Sequence, residues 1–478
     1  RPNEIDLVRC NSQEKYTLAM NKKSKILGLL QDIVGKKYAS SDLEDRLCYA
    51  YDATGQRFKP EYVVKPANTN EISRIMKLAN KYRIPVYPRG AGSGLTGGCI
   101  PLRGGISLVL TRLNRIIDID KANHTVTVEP GVLVSELQKS VESVGLFYPP
   151  DPASVDFSTI GGNIAENAGG LRACRYGVTR DYVLQLEAVL PNGQIINTGA
   201  KTVKSVTGYD LTRLLVGSEG TLAIITKAVL RLIAKVPARK AMYAVFPKIT
   251  HAAETVSDLV EHSLIPSTLE LMDQKTIECI EAYKPSGLPQ QAGAILFIEQ
   301  DGIPEQIEKD IKQIVTICKK HNAITVRVAK NNAERERLWD LRRAVSPAIT
   351  RVAGKKINED ICVPRSELAA LFIALDKISK QYRVPIVNYG HAGDGNIHVN
   401  VMVNPEDKQE IARGHKAVED IFKVVLNLGG TLSGEHGIGN TKSKYLSWEI
   451  PVAELLLMKQ IKKIFDPKNI LNPGKVFR

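Results

Sequence analysis

The chain has 478 residues, of which 43% are hydrophobic and 24% charged, and its net charge is +14. That length suggests two or three domains of an ordinary globular protein. No stretch reaches the ~18 uncharged apolar residues that span a bilayer, and the basic residues are dispersed without aromatic interleaving, which argues against nucleic acid. The positive balance reads first as a lysine-rich solvated surface. The second reading is attraction to anionic substrates, an acidic partner protein or a membrane surface.

Met20-Asn-Lys-Lys reads as a start, which leaves residues 1–19 as a leader or an added segment. Residues 24–34 predict an amphipathic helix, so residues 1–40 form an N-terminal extension. Residues 41–236 predict a first α+β unit, with β-branched runs at 62–65, 85–87, 106–110, 125–128 and 222–226 and helices at 69–82 and 132–145. Three glycine-rich segments interrupt it. The first, Pro88-Arg-Gly-Ala-Gly-Ser-Gly-Leu-Thr-Gly-Gly98, contains Gly92-x-Gly94-x-x-Gly97 after a strand. A nicotinamide site needs a helix to begin inside that motif. Gly98, Pro101, Gly104 and Gly105 forbid one here, so the loop reads instead as a nest of backbone N–H groups for phosphate. The second segment, Pro149–Gly170, has no apolar period, which excludes core helix and core strand and suggests backbone satisfied by a large ligand. The third, Gly217-Ser-Glu219-Gly220-Thr221, turns into an apolar strand that holds Ile224 and Ile225.

Residues 237–435 predict a second α+β unit, with strands at 241–246, 294–300 and 323–330 and helices at 250–263, 304–320 and 407–428. Gly429-Gly430 caps the last of these. Helix 451–464 and the tail Asp466–Gly474 close the chain. Two segments here carry chemistry: His391-Ala-Gly-Asp-Gly-Asn-Ile-His398-Val-Asn400 and Ser433-Gly-Glu435-His436-Gly-Ile-Gly439. Residues 396–403 alternate at period two, so His398 and Asn400 share a face, and the turn at Gly393-Asp394-Gly395 can fold His391 back beside them. Two histidines and a glutamate are a ligand set for a divalent ion with an open position, and His436 is left as an acid/base. The plainer alternative is an Asp-Gly hairpin with incidental histidines, and Glu435-His436 weighs against it. His124, His251, His262, His321 and His415 lack a partner motif and read as structural or surface residues.

The seven cysteines are scattered and never spaced as CxxC. That argues against a disulfide framework and against an iron–sulfur cluster in this chain. A cytoplasmic location, or the mitochondrial matrix in a eukaryote, is the simplest expectation.

The three glycine-rich segments resemble the pyrophosphate loop, the isoalloxazine loop and the following strand of the PCMH-type FAD-binding domain of vanillyl-alcohol-oxidase-type flavoproteins. The two histidine segments and the tail Ile470-Leu-Asn-Pro-Gly474-Lys narrow this. They resemble the group of D-lactate dehydrogenase, glycolate oxidase flavin subunit and D-2-hydroxyglutarate dehydrogenase. The resemblance spans about residues 40–478 and implies an α+β fold: an FAD-binding domain at 41–236, a cap domain for substrate at 237–435, and a segment at 436–478 returning to the FAD domain.

The resemblance implies FAD bound by Pro88, Arg89, Gly90, Ala91, Gly92, Ser93, Gly94, Leu95 and Thr96, and by Pro150, Asp151, Ser158, Thr159, Gly161, Gly162, Asn163, Ala165, Asn167 and Gly170. Tyr176, Gly177, Glu219, Gly220, Ile224, Ile225 and Asn472 complete that set. Ser93 and Gly94 stand where some relatives attach FAD covalently through His or Cys, so the FAD is expected to be non-covalent; Cys174 reads as a structural thiol. The resemblance further implies zinc, or alternatively iron or manganese, on His391, His398 and Glu435, with His436 as base. Arg342 would clamp a substrate carboxylate, Ser346 would donate its hydroxyl, and Asn400 would orient the substrate. Lys355 and Lys356 are the lysines nearest Asn358, where some relatives carry one; that departure disfavours a dicarboxylate. The expected reaction takes hydride from C2 of a small D-2-hydroxy acid, D-lactate first and glycolate next, to flavin N5. Electrons then leave to an electron-transfer flavoprotein, an iron–sulfur subunit or quinone. Peripheral membrane contact and a homodimer are both compatible with the resemblance. The alternatives are a D-2-hydroxyglutarate dehydrogenase and a flavin subunit that only passes electrons within a complex; the intact histidine set argues against the latter.

Overall fold

A computed structural model describes residues 23–289, 292–353 and 355–477. The expected start at Met20 and the leader before it lie outside the described residues.

The first helix, residues 23–34, buries Ile26, Leu30 and Val34 against a four-stranded sheet. That sheet runs Ala39–Ser40, Tyr62–Val64, Ile106–Val109, Val86–Arg89, with the last three strands parallel. Helix Thr69–Tyr82 covers it. Asn68 caps this helix by accepting from the Glu71 N–H at 3.0 Å, and Arg83 ends it in the left-handed region. Ile72, Ile75, Met76 and Ala79 form its buried stripe. No helix follows Val86–Arg89 before the strand Ile106–Val109, as the glycines and Pro101 require.

A five-stranded antiparallel sheet follows, in the order Ile116–Asp120, Thr125–Val128, Ile224–Arg231, Val183–Val189, Ile195–Gly199. Between the two sheets the structure corrects one expectation. Residues 149–170 contain a helix, Ile160–Glu166, with Ile160 and Ile164 fully buried. Thr159 caps it by accepting from the Gly162 N–H. Two apolar residues one turn apart suffice for a helix this short, so the absence of a longer period misled.

The second half is built on a seven-stranded antiparallel sheet. Its order is Thr325–Val328, Ala238–Phe246, Ala294–Gly302, Thr268–Asp273, Ile386–His391, Asn396–Val403, Lys355–Cys362. Helices Ile249–Glu261, Pro304–Lys320, Leu368–Tyr382 and Lys408–Asn427 cover one face; Leu271, Ile397, Val399, Val401 and Val403 lie in the core beneath them. Gly429, at φ +72°, ends Lys408–Asn427 as expected.

The tail returns to the first sheet. The Val86 N–H donates to the Ile470 carbonyl and the Asn472 N–H to the Val86 carbonyl, both at 2.7 Å. The Asn472 side chain donates to the carbonyls of Gly98 (2.9 Å) and Glu219 (2.8 Å), joining two of the glycine-rich segments. Asn472→Ala leaves both buried carbonyls without their partner. The expected loss is about 1–3 kcal/mol of stability, read from urea denaturation of the FAD-loaded protein; an unchanged midpoint would show that the tail does not hold these loops.

Candidate active site

Opposite residues on antiparallel strands share a face, so the register of four neighbouring strands assembles the site. Glu270 pairs with His391, and His391 with Asn396. Tyr389 pairs with His398, and His398 with Asp360. Asn400 pairs with Asn358. All therefore lie on the face opposite the apolar core, and the loop 433–439 covers that face.

The three imidazoles converge on one oxygen. The Nε2 atoms of His391, His398 and His436 lie 3.4, 3.5 and 3.7 Å from Glu435 Oε1. His398 and His436 are stacked with ring centroids 5.2 Å apart, and His391 meets His398 edge-on. Behind them stand two carboxylates. Glu270, fully buried, accepts from His391 Nδ1 at 2.5 Å and from Arg342 Nε at 2.6 Å. Asp360, also fully buried, accepts the backbone N–H groups of Glu435 (2.8 Å) and His436 (2.9 Å) through Oδ2, and the Asn396 amide (2.6 Å) through Oδ1. It lies on the Nδ1 side of His398 and His436, at 3.7 and 3.9 Å. Asp360, His398, Glu435 and His436 also offer ligand atoms all within 4.8 Å of one another.

The electrostatics favour positive charge at the centre. Burial disfavours the imidazolium of His391, but Glu270 and Glu435 hold its proton affinity well above the usual histidine range. Burial depresses His398 to about 3, the neutral form a metal ligand needs. Burial would raise Glu270, but Arg342 and His391 bring it down to about 2. Among the described residues, the buried His391 Nε2 and His398 Nδ1 have no hydrogen-bond partner, and neither has Arg342 Nη2.

Arg342, His398, Glu435 and His436 line a 580 Å³ cavity, and His391, Glu270 and Asp360 stand behind them. Its walls include Pro88, Arg89, Gly90, Ala91, Gly92, Ser93, Gly94 and Leu95 from the first glycine segment, and Thr159, Gly161, Gly162, Asn163 and Ala165 from the second. Glu219, Gly220, Arg342, Ser346, His398, Glu435 and His436 line it too. At Gly92, φ is +77° and a Cβ would strike the Arg89 guanidinium, so only glycine fits this turn of the loop. The buried Nδ2 of the cavity-lining Asn163 has no partner among the described residues. A deep, glycine-walled cavity with unspent polar atoms along it fits an extended dinucleotide.

Other expected residues stand back from the cavity. Thr96 donates its hydroxyl to the His436 carbonyl, and Tyr176 donates to Asp301. Ile224 and Ile225 belong to the hydrophobic cores. Pro150, Asp151, Ser158, Asn167, Gly170, Gly177 and Asn472 are not among its lining residues. Asn400 is fully buried behind Asn358, which donates to it at 2.8 Å and itself lines the cavity. Lys356 also lines the cavity and donates to Ser346 Oγ at 3.1 Å. Cys174 donates to the Pro266 carbonyl, as a structural thiol would. Sequence reasoning missed Glu270 and Asp360; the available signal was an acid in the middle of a largely apolar or alternating strand.

Fold and cavity together define an FAD-dependent oxidoreductase built from a flavin-binding half and a sheet that presents the reacting groups. Residues 60–199 match the FAD binding domain family, and residues 235–476 match the family described as FAD linked oxidases, C-terminal domain. The chain is 48% identical over 433 residues to glycolate oxidase subunit GlcD of Bacillus subtilis, covering 90% of this chain and 92% of that one. It is 37% identical over 440 residues to a D-lactate dehydrogenase of Archaeoglobus fulgidus, covering 90% and 95%. Among solved structures, p-cresol methylhydroxylase with bound substrate superposes with a TM-score of 0.78 at 16% identity, covering 95% of this chain and 96% of that one, which speaks to fold alone. The chain belongs to the FAD-linked oxidases, in the glycolate oxidase and D-lactate dehydrogenase group.

Glu270→Gln should remove about 3–5 kcal/mol of stability, because it leaves Arg342 buried without its counter-charge. Glu270→Gln/Arg342→Met should recover most of that loss. Equal urea midpoints for wild type and the single variant would show that the pair carries no such weight.

Proposed function

We propose that this protein oxidises a small D-2-hydroxy acid, D-lactate first and glycolate next, to the 2-oxo acid. The observation that carries the reading is the convergence of three imidazole Nε2 atoms on Oε1 of the cavity-lining Glu435. His391, His398 and Glu435 would hold a divalent cation. Asp360 is the weaker ligand candidate, because its two oxygens are already engaged with the Glu435, His436 and Asn396 N–H groups. Bound FAD supplies the hydride acceptor and the cation a Lewis acid. His436 takes the hydroxyl proton of the substrate. Arg342 presents its Nη2, buried and unpaired among the described residues, to the carboxylate, with Glu270 fixing the guanidinium from behind. Ser346 and Lys356 sit beside it, and Asn400 acts through Asn358.

Lys356 supports a second reading, a substrate with a distal anionic group, because its ammonium lines the cavity and binds only the Ser346 hydroxyl among the described residues. The division at residues 236 and 435 belongs to this proposal, as do a location in a reducing compartment and electron delivery to an external protein or quinone. Among the described residues no helix is long and apolar enough to cross a membrane.

Anaerobic D-lactate should bleach the yellow enzyme; an unreactive flavin would overturn the reading. His436→Ala should keep FAD and lose flavin reduction by about 10²–10⁴-fold; wild-type reduction kinetics would reassign the base. Burial pushes the cavity-lining Cys99 thiol up to about 11, which makes it a poor nucleophile. Acid precipitation should therefore release all the colour, and colour left in the pellet would contradict non-covalent binding.

A further inference from the structure

We propose that Glu166 is a neutral acid beside an anionic Glu219, and that this pair positions the loop carrying Glu435 and His436. Glu219 accepts from the N–H groups of Ile438 (2.8 Å) and Gly439 (2.6 Å). Glu166 lines the cavity, and its buried Oε2 has no hydrogen-bond partner among the described residues. The two carboxyls meet around Gly437, where a Cβ would lie 2.5 Å from Glu166 Oε2 and 3.1 Å from Glu219 Oε1. A Cβ on Gly98 would lie 2.9 Å from Glu166 Oε1. Glu166 therefore stands where the first glycine segment, its own segment and the His436 loop come together.

Among the described residues neither carboxyl forms an ion pair with lysine or arginine. The charged groups nearby are committed or unhelpful. Lys475 donates to the Gly97 carbonyl, Lys442 to those of Asp360 and Leu432, and Arg89 to the Tyr51 carbonyl and Cys99. Asp52 adds a third acid. Two carboxylates facing the same glycine repel, and a proton on one of them removes the repulsion. Glu219 already accepts two N–H bonds, so the proton belongs on Glu166. Glu166 also ends the helix Ile160–Glu166, where the terminal carbonyls disfavour an anion. Burial, then Glu219 and Asp52, hold its proton affinity well above the usual carboxylate range.

The proposal rests on His436 being the base only for its effect on rate; the protonation itself is tested separately. Glu166→Gln keeps the size and a donor but cannot titrate. At neutral pH, infrared spectra of the FAD-loaded wild type should show the carbonyl stretch of a buried protonated carboxylic acid, and the Glu166→Gln spectrum should lack it. Because the folded-state affinity is raised, wild-type stability should fall relative to Glu166→Gln as pH rises from the ordinary carboxylate range to the raised value, then level off. In flavin reduction Glu166→Gln should exceed Glu166→Leu, which fills the space without a polar group, by about tenfold at equal FAD content. An unchanged infrared band in Glu166→Gln, parallel pH–stability curves, or equal rates for the two variants would each overturn the proposal.

Discussion

The carboxylate of Asp360 ties the catalytic loop to the sheet. It stands on a strand at the edge of the seven-stranded sheet, fully enclosed, and takes the Glu435 and His436 N–H groups with one oxygen and the Asn396 amide with the other. Burial alone would raise its proton affinity, but His436, Lys442, His398 and Asn396 hold it far below the usual range. A charged acceptor makes stronger hydrogen bonds than a neutral one. The loop 433–439, which has little apolar surface to anchor it, is thus fixed by polar contacts to a rigid strand.

The rest of the site follows from that anchoring. With the loop fixed, Glu435 is held against His391 and His398, and His436 is stacked on His398 rather than free in the cavity. Glu270 does the same work one row away, aligning both Arg342 and His391. Glu270 orients His391 by a hydrogen bond, and Asp360 lies on the Nδ1 side of His398 and His436 at 3.7 and 3.9 Å, a pattern suited to holding a cation in front. The arrangement asks much of the fold, since three buried acids stand together. Arg342, Lys442 and the histidines offset them, and the remaining preference for positive charge falls where His391 Nε2 has no hydrogen-bond partner among the described residues.

Local patterns in the chain are enough to place much of this. Period-two alternation places His398 and Asn400 on one face, and Asp394-Gly395 marks the turn that returns His391 to them. Glycines and Pro101 after Gly97 rule out the helix a nicotinamide fingerprint needs. What local patterns miss is set by pairing over distance. Glu270 and Arg342 are 72 residues apart, Glu270 and His391 are 121 apart, and Asp360 and Glu435 are 75 apart. Glu270 within Thr268–Asp273 looks like an edge or surface position until the register shows what lies beside it. Lys356 likewise becomes part of the cavity only because its strand pairs with Asn396–Val403. The helix at Ile160–Glu166 is the reverse case, a local structure hidden by glycine-rich composition although its Thr159 cap is visible in the chain.

The proposed chemistry turns on His391, His398 and Glu435 holding a cation beside the flavin, with His436 left as the base. Anomalous X-ray diffraction at a transition-metal absorption edge, on crystals of the FAD-loaded protein grown without chelator, tests it most directly. The account predicts one anomalous peak between His391 Nε2, His398 and Glu435, and its loss in Glu435→Gln. A metal-free cage in enzyme that still reduces its flavin with D-lactate would contradict it.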